Sequence, residues 1–202
     1  FDTPGKGPLE IDGLRPLADR LRPQSLAEVI GQRQILGPEA PLSVMLAARV
    51  LSSIIFWGPP GVGKTTIARL LAQETDLHFI QISAIFSGVP ELRKVFQTAK
   101  IRRDNGQGTL LFVDEIHRFN KAQQDSFLPL MENGTIVLVG ATTENPSFEL
   151  NAAVLSRAQV MVLKRLALEE LELLAQRAEA EAGLELPLEI GARRSLLEMA
   201  DG

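Results

Sequence analysis

The sequence predicts an α/β fold in which a parallel sheet is covered by helices on both faces, followed by the start of a helical region. Three observations predict it. Short continuous apolar runs recur from residue 52 onward, amphipathic stretches separate them, and a Gly/Pro-rich turn stands between the first run and the first long helix. Continuous rather than alternating runs mean strands buried on both faces, and parallel strands need helical crossovers.

Taken in order, residues 1–15 open with FDTPGKGPLEIDG, which has no hydrophobic period and is expected to be a flexible leader. Pro16 and Pro23 punctuate short helical pieces up to Leu36. SIIFW reads as a strand and GKTTIARLLAQET as a helix. HFIQIS is a strand, and PELRKVFQTAKIRRDN is a helix with Leu92, Val95, Phe96 and Ala99 on its apolar face. TLLFVD is a strand, KAQQDSFLPLMENG a helix, and TIVLVGAT and QVMVLK are two further strands. LALEELELLAQRAEAEAG then carries a helical stripe that stops at Gly183, and a second helical piece follows it. The domain boundary is expected near Leu166, giving an α/β domain over 16–165 and a helical region over 166–202.

Composition sets limits. With 45% hydrophobic and 23% charged residues the chain is that of a globular domain, and its longest apolar runs are too short to span a bilayer. It has no cysteine, which excludes disulfides and thiolate metal sites and fits a reducing cytoplasm. The net charge of −4 offers no global basic field, so a nucleic-acid partner must be met by a local patch. The two histidines, His78 and His117, have no ligand spacing, and no zinc site is expected.

The chemistry begins at WGPPGVGKTT. Gly58, Pro59, Pro60, Gly61, Val62, Gly63, Lys64, Thr65 and Thr66 fit G-x-x-x-x-G-K-[ST], after a strand and opening a helix. Glycines let successive N–H groups curl toward phosphate oxygens, and the helix start adds partial positive charge. Lys64 is expected to reach the β- and γ-phosphates of a nucleotide, and the Thr65 hydroxyl to ligate Mg²⁺. Fifty residues on, LLFVDEIHRF puts Asp114 and Glu115 at the end of an apolar strand. Asp114 is read as a Mg²⁺ ligand. Adjacent strand positions face opposite sides, so Glu115 is read as separately placed to take a proton from attacking water. Glu directly after Asp favours a hydrolase over a kinase.

These strings resemble the AAA+ ATPases. FVDEIHRFNKAQQDSFLPLMENGTIVLVGATTENPSFELNAAVLSRA is specifically similar to the RarA (MgsA) family of replication-associated recombination proteins, whose eukaryotic relatives include the Werner-helicase-interacting protein. The likeness runs from about Pro16 to Gly202, and ATTENPSFELN is its most specific part. It implies an AAA+ P-loop fold with a helical lid, ATP and Mg²⁺ as ligands, and a homo-oligomer with nucleotide between subunits. DNA at stalled or gapped forks, and replication proteins such as single-strand-binding protein, are the partners it implies, in a bacterial cytoplasm near the nucleoid.

The resemblance also implies site residues. Thr143 falls at the sensor 1 position, with Thr142 and Asn145 as alternatives. Ile30 and Gly31, in VIGQ, fall on the segment that lines the adenine pocket. Ser156-Arg157 matches the arginine finger, which enters a neighbour's site; without the resemblance Arg157 reads as a surface arginine capping a short helix. His117 and Arg118 are implied as relays to a neighbour. Family lids carry a second sensor arginine shortly after an ADG-like segment; here the sequence starts at Phe1 and stops at Asp201-Gly202, so a fragment is expected, with that residue and any assembly domain beyond it. Phe86 stands where relatives have a small polar residue. It is read as a buried or docking aromatic in preference to a pore-loop grip on polypeptide. Arg93, Lys94, Lys100, Arg102 and Arg103 either face DNA phosphates or form a solvated helix face. The rival functions are a RuvB-like branch-migration motor or clamp-loader subunit, a protein unfoldase acting through Phe86, and a scaffold that binds nucleotide without hydrolysing it.

Overall fold

The computed structural model describes residues 16–200. The leader expected at 1–15 and the Asp201-Gly202 end lie outside them. Five parallel strands form one sheet: β1 (Ser53–Trp57), β2 (His78–Ser83), β3 (Thr109–Asp114), β4 (Ile136–Thr142) and β5 (Ala158–Val162), in the order β2-β3-β4-β1-β5. β4 therefore sits between the strand that leads into the glycine loop and the strand that ends in Asp114. All strand ends of one kind share one edge, and ligands of such sheets bind at the carboxyl edge.

The period of two along each strand builds two cores. Ile54 and Phe56 of β1 and Leu110 and Phe112 of β3 face one side, where they pack with Ile67 and Leu71 of α4 (Lys64–Glu74). Ile55, Leu111, Val113 and Leu138 face the other, against Leu92 and Ala99 of α5 (Val89–Asp104). All eight strand side chains named are fully buried, each contributing roughly 1.5–3 kcal/mol. This is the doubly covered parallel sheet that the apolar runs predict.

The other helices are short. Before β1 come α1 (Leu17–Arg20), α2 (Arg33–Leu36) and α3 (Pro41–Ala47). Between β3 and β4 lie α6 (Lys121–Asp125) and α7 (Leu128–Glu132), and between β4 and β5 lie α8 (Pro146–Glu149) and α9 (Ala152–Leu155). The single helix expected over KAQQDSFLPLMENG is thus two. Pro129 has no N–H and its ring crowds the carbonyl four residues back, so the chain restarts at Leu128 with Pro129 in the first turn. The Asn120 side chain caps α6 in a capping box with Gln123.

After β5 the described chain is helical: α10 (Leu168–Ala182), closed by Gly183 at φ +67°, and α11 (Ile190–Met199). Arg193 of α11 forks onto both carboxylate oxygens of Glu179 at 2.7 and 2.8 Å and also reaches Glu172. The Arg193 fork, with the Leu186 N–H, pulls the Glu179 carboxyl down to about 2. α10 is tied back to the N-terminal segment by Arg20–Glu181 and Arg177–Glu28. Among the described residues no helix is long and apolar enough to cross a membrane.

Candidate active site

The loop from Gly58 to Gly63 joins β1 to α4 at the carboxyl edge of the sheet. Gly63 caps α4 at φ +93°, a conformation that strains any L side chain. No side chain caps this helix and no acidic residue occupies its first turn, so its leading N–H groups are disposed toward an anion. Lys64 is only 7% exposed. Its ammonium donates to the carbonyls of Gly58 and Pro59, each at 2.7 Å. Burial pushes its pKa below the usual lysine range, opposed by the charges of Glu115 and Asp114.

Lys64, Thr65, Thr66, Asp114 and Glu115 line one cleft of about 580 Å³. The strand-pleat argument for separating the two carboxylates is not how this is done. β3 ends at Asp114, and Glu115 lies outside the strand at φ +52°, in the left-handed region. That backbone costs about 1–3 kcal/mol for a non-glycine residue. The turn replaces the pleat and brings both carboxylates to the same cleft.

β4 reaches this cleft between the two motif strands. Thr142 is fully buried, and its hydroxyl contacts the His117 ring Nδ1 at 3.0 Å, the Glu144 N–H at 3.0 Å and the Glu144 carbonyl at 3.2 Å. Three partners thus surround a hydroxyl that has one donor and two lone pairs. Asn145 caps α8 by accepting from the Ser147 N–H. The Thr143 hydroxyl donates to Glu115 Oε2 at 3.4 Å, and His117 Nδ1 lies 3.3 Å from the same oxygen.

Mg²⁺ fits the donors present. It favours hard oxygen ligands, one or two carboxylates supplemented by substrate phosphates and water. Thr65 and Asp114 offer such oxygens on a shared cleft. Among the described residues no cluster of three or more His, Asp or Glu forms an all-protein metal cage.

A second cavity of about 320 Å³ adjoins the cleft and shares Gly61, Gly63 and Thr66 with it. Its walls are mainly apolar, with Ile30, Val62, Ile67, Leu166 and Leu174 among them. Ile30 thus lines this apolar cavity beside the cleft. Gly31 does not line it. At φ +76°, a Cβ on Gly31 would stand 2.6 Å from Leu166 Cδ2, so this glycine lets the segment pack against the start of the helical region. Gln32 fastens the same segment, bonding the backbone of Lys164 through both ends of its amide.

Several lining residues escaped the sequence reading. Arg22 lines both the cleft and the cavity, Arg69 and Gln81 line the cleft, and Arg177 lines the cavity. Only Arg22 had a local signal, its place before the helix-breaking Pro23. Of the two alternatives for Phe86, buried or docking, burial does not hold: the side chain is 87% exposed, because the loop after β2 turns it away from both cores. Arg93, Lys94 and Lys100 are exposed, while Arg103 donates to Thr135.

Arg157 is not part of this chain's cleft. It stands just before β5, at the amino edge of the sheet. A five-residue strand, about 17 Å long, separates that edge from the edge where the cleft opens. Its guanidinium pairs with Glu132 and caps α9 at the Ala153 carbonyl.

The fold agrees with the comparisons. The AAA family (ATPase family associated with various cellular activities) matches residues 54–166. Replication-associated recombination protein A of Escherichia coli K12 is 48% identical over 193 residues, which cover 93% of this chain and 43% of that protein. ATPase WRNIP1 of Dictyostelium discoideum is 42% identical over 191 residues, 93% of this chain and 22% of that protein. The chain therefore spans less than half the length of these relatives. Among solved structures, the Thermotoga maritima RuvB Holliday junction branch migration motor superposes with a TM-score of 0.72 at 30% identity, covering 88% of this chain and 59% of that one. The chain belongs to the AAA family of ATPases and carries an ATPase domain of the RarA type.

Proposed function

We propose that this chain binds ATP with Mg²⁺ and hydrolyses it in a site completed by a neighbouring copy, and that the full-length protein couples this to remodelling DNA or DNA-bound proteins at stalled or gapped replication forks. The observation that carries the ATP half is the convergence of Lys64, Thr65, Asp114 and Glu115 on one cleft, with Thr143 3.4 Å from Glu115. In this reading the α4 N–H groups and Lys64 hold the phosphates. Thr65 and Asp114 hold Mg²⁺, which supplies charge neutralisation when bound. Glu115 takes the proton of the attacking water. Thr143 is the sensor: it is the hydroxyl that faces Glu115, whereas Thr142 is surrounded by three other partners and Asn145 is spent on a cap. Ile30 and its apolar neighbours hold the base. Arg157 serves the next subunit, and residues from 166 onward begin a lid.

The DNA half is supported by the likeness to replication-associated recombination protein A. A RuvB-like motor is the second reading, favoured by the superposition on that fold. The test measures ATPase rate of the full-length protein with single-stranded, duplex, gapped and four-way-junction DNA, and with an unfolded polypeptide. Stimulation by gapped or single-stranded DNA supports the proposal. Preference for the four-way junction favours the motor. Stimulation by polypeptide alone favours an unfoldase using the exposed Phe86.

A further inference from the structure

We infer that Glu132 is a latch that holds Arg157 out of use until subunits assemble. The inference rests on the reading of Arg157 as the residue that completes a neighbour's site. Glu132 is the last residue of α7, and Arg157 follows α9; both lie toward the amino edge of the sheet. Nε and Nη2 of Arg157 both reach Glu132 Oε1, at 2.7 and 2.5 Å. Nη1 donates to the Ala153 carbonyl at 3.0 Å and to Ser156 Oγ at 3.1 Å.

A guanidinium has five N–H donors in a fixed fork. Four are engaged here, and the remaining hydrogen is a single one on Nη2. A phosphoryl oxygen pair is best met by two parallel donors, and the Nε–Nη2 edge is one such pair. Glu132 occupies that edge, so it competes directly with phosphate for the same hydrogens. The Nη1 contacts do not compete. They anchor the side chain to its own helix end and leave it aimed outward once Glu132 lets go. Both partners of the pair are partly exposed, 39% for Arg157 and 52% for Glu132, so the pair is weak enough to break on docking. Glu132 is a positioning residue in this scheme and touches no substrate.

The test is Glu132→Gln in the full-length protein. The neutral amide keeps the shape but is a poorer acceptor for the fork. Steady-state kcat should rise about two- to fivefold, the range that an exposed ion pair supports. KM for ATP should stay unchanged, because the subunit's own cleft is untouched, and the protein concentration at half-maximal rate should fall. A role confined to folding would not give this split. The effect must also appear in the neighbour. A Glu115→Gln/Glu132→Gln subunit, mixed with an Arg157→Ala subunit, should restore more activity than a Glu115→Gln subunit does. If Arg157→Ala is inactive while Glu132→Gln turns over at or below the parental rate, the latch is overturned and the arginine reading stands. If Arg157→Ala turns over like the parent, both are overturned.

Discussion

The cleft around Lys64 and the corner around Arg157 are built on opposite principles. In the cleft, five polar groups from the start of α4, the end of β3 and the turn after it meet within one chain, at the edge where parallel strands stop. Lys64 is buried and Glu115 is held in a strained turn, so the packed sheet behind them fixes their positions. At the corner, a half-exposed arginine rests on an exposed carboxylate across the sheet from any phosphate its own chain would hold. The first region is assembled within one chain; the second, in the function proposed above, acts in a neighbour's site. Rigid placement suits groups that one chain must supply together. Loose pairing suits a residue that, in the function proposed above, is released to a neighbour.

Four measurements break or sharpen that contrast. The largest effect is expected at Glu115. Glu115→Gln should keep ATP binding and lower single-turnover hydrolysis by about 10²–10⁴-fold, since a positioned base contributes that much. Parental turnover by this variant would remove Glu115 from the role of base.

Next comes Arg157→Ala in the full-length protein. ATP affinity should stay nearly intact while turnover falls by about 10³-fold, the scale of a lost transition-state charge partner. Mixing it with Glu115→Gln subunits before assembly should recover part of the activity that neither has alone. Labelled subunits that exchange without any recovery would put Arg157 back within its own chain.

Lys64→Ala should weaken ATP binding by about 100-fold or more, because a buried charge-assisted contact worth roughly 3 kcal/mol is lost. Calorimetry that finds affinity within about twofold of the parent contradicts the cleft assignment.

The smallest effect lies in the helical region. The Glu179 carboxyl sits at about 2 when folded, against an ordinary 4.5, so the folded state holds its carboxylate where the unfolded chain would take a proton. Its stabilisation is complete above about pH 4.5 and fades as pH falls toward 2. The protection of α11 amides, taken relative to their intrinsic exchange rate at each pH, should therefore fall as pH drops from about 4.5 toward 2, and Glu179→Gln should flatten that dependence. Equal pH dependence in the two proteins would show that the Arg193 fork does not dock α11.

Much of the cleft was legible because its signals are local. Gly63, Lys64 and Thr65 act through one loop and the helix it opens, and Asp114 ends a continuously apolar strand. Glu115 was legible as a residue but not as a geometry. Its left-handed backbone depends on the turn into Ile116, which is fully buried in the second core. Arg69 was missed although it lies on α4 itself, whereas Gln81 and Arg177 were not legible at all, since a strand and a helix far away in the chain bring them to the cleft and its neighbouring cavity. Glu132 gave no signal for the same reason: its partner is 25 residues away on another helix end. Pro129 did carry a signal for the break between α6 and α7, which the longer apolar period obscured.

The succession of strands along the chain, the two-sided burial of the sheet and the glycine loop follow from the sequence alone, because each rests on periodicity or on backbone freedom within a few residues. Only the tertiary structure decided that β4 lies between β1 and β3. That order brings Thr143 to Glu115, sets Thr142 against His117 and leaves Arg157 at the far edge on Glu132. The reason is physical: hydrophobic pattern says which face of a strand is buried, but which strands become neighbours is settled by how the helices pack both faces at once.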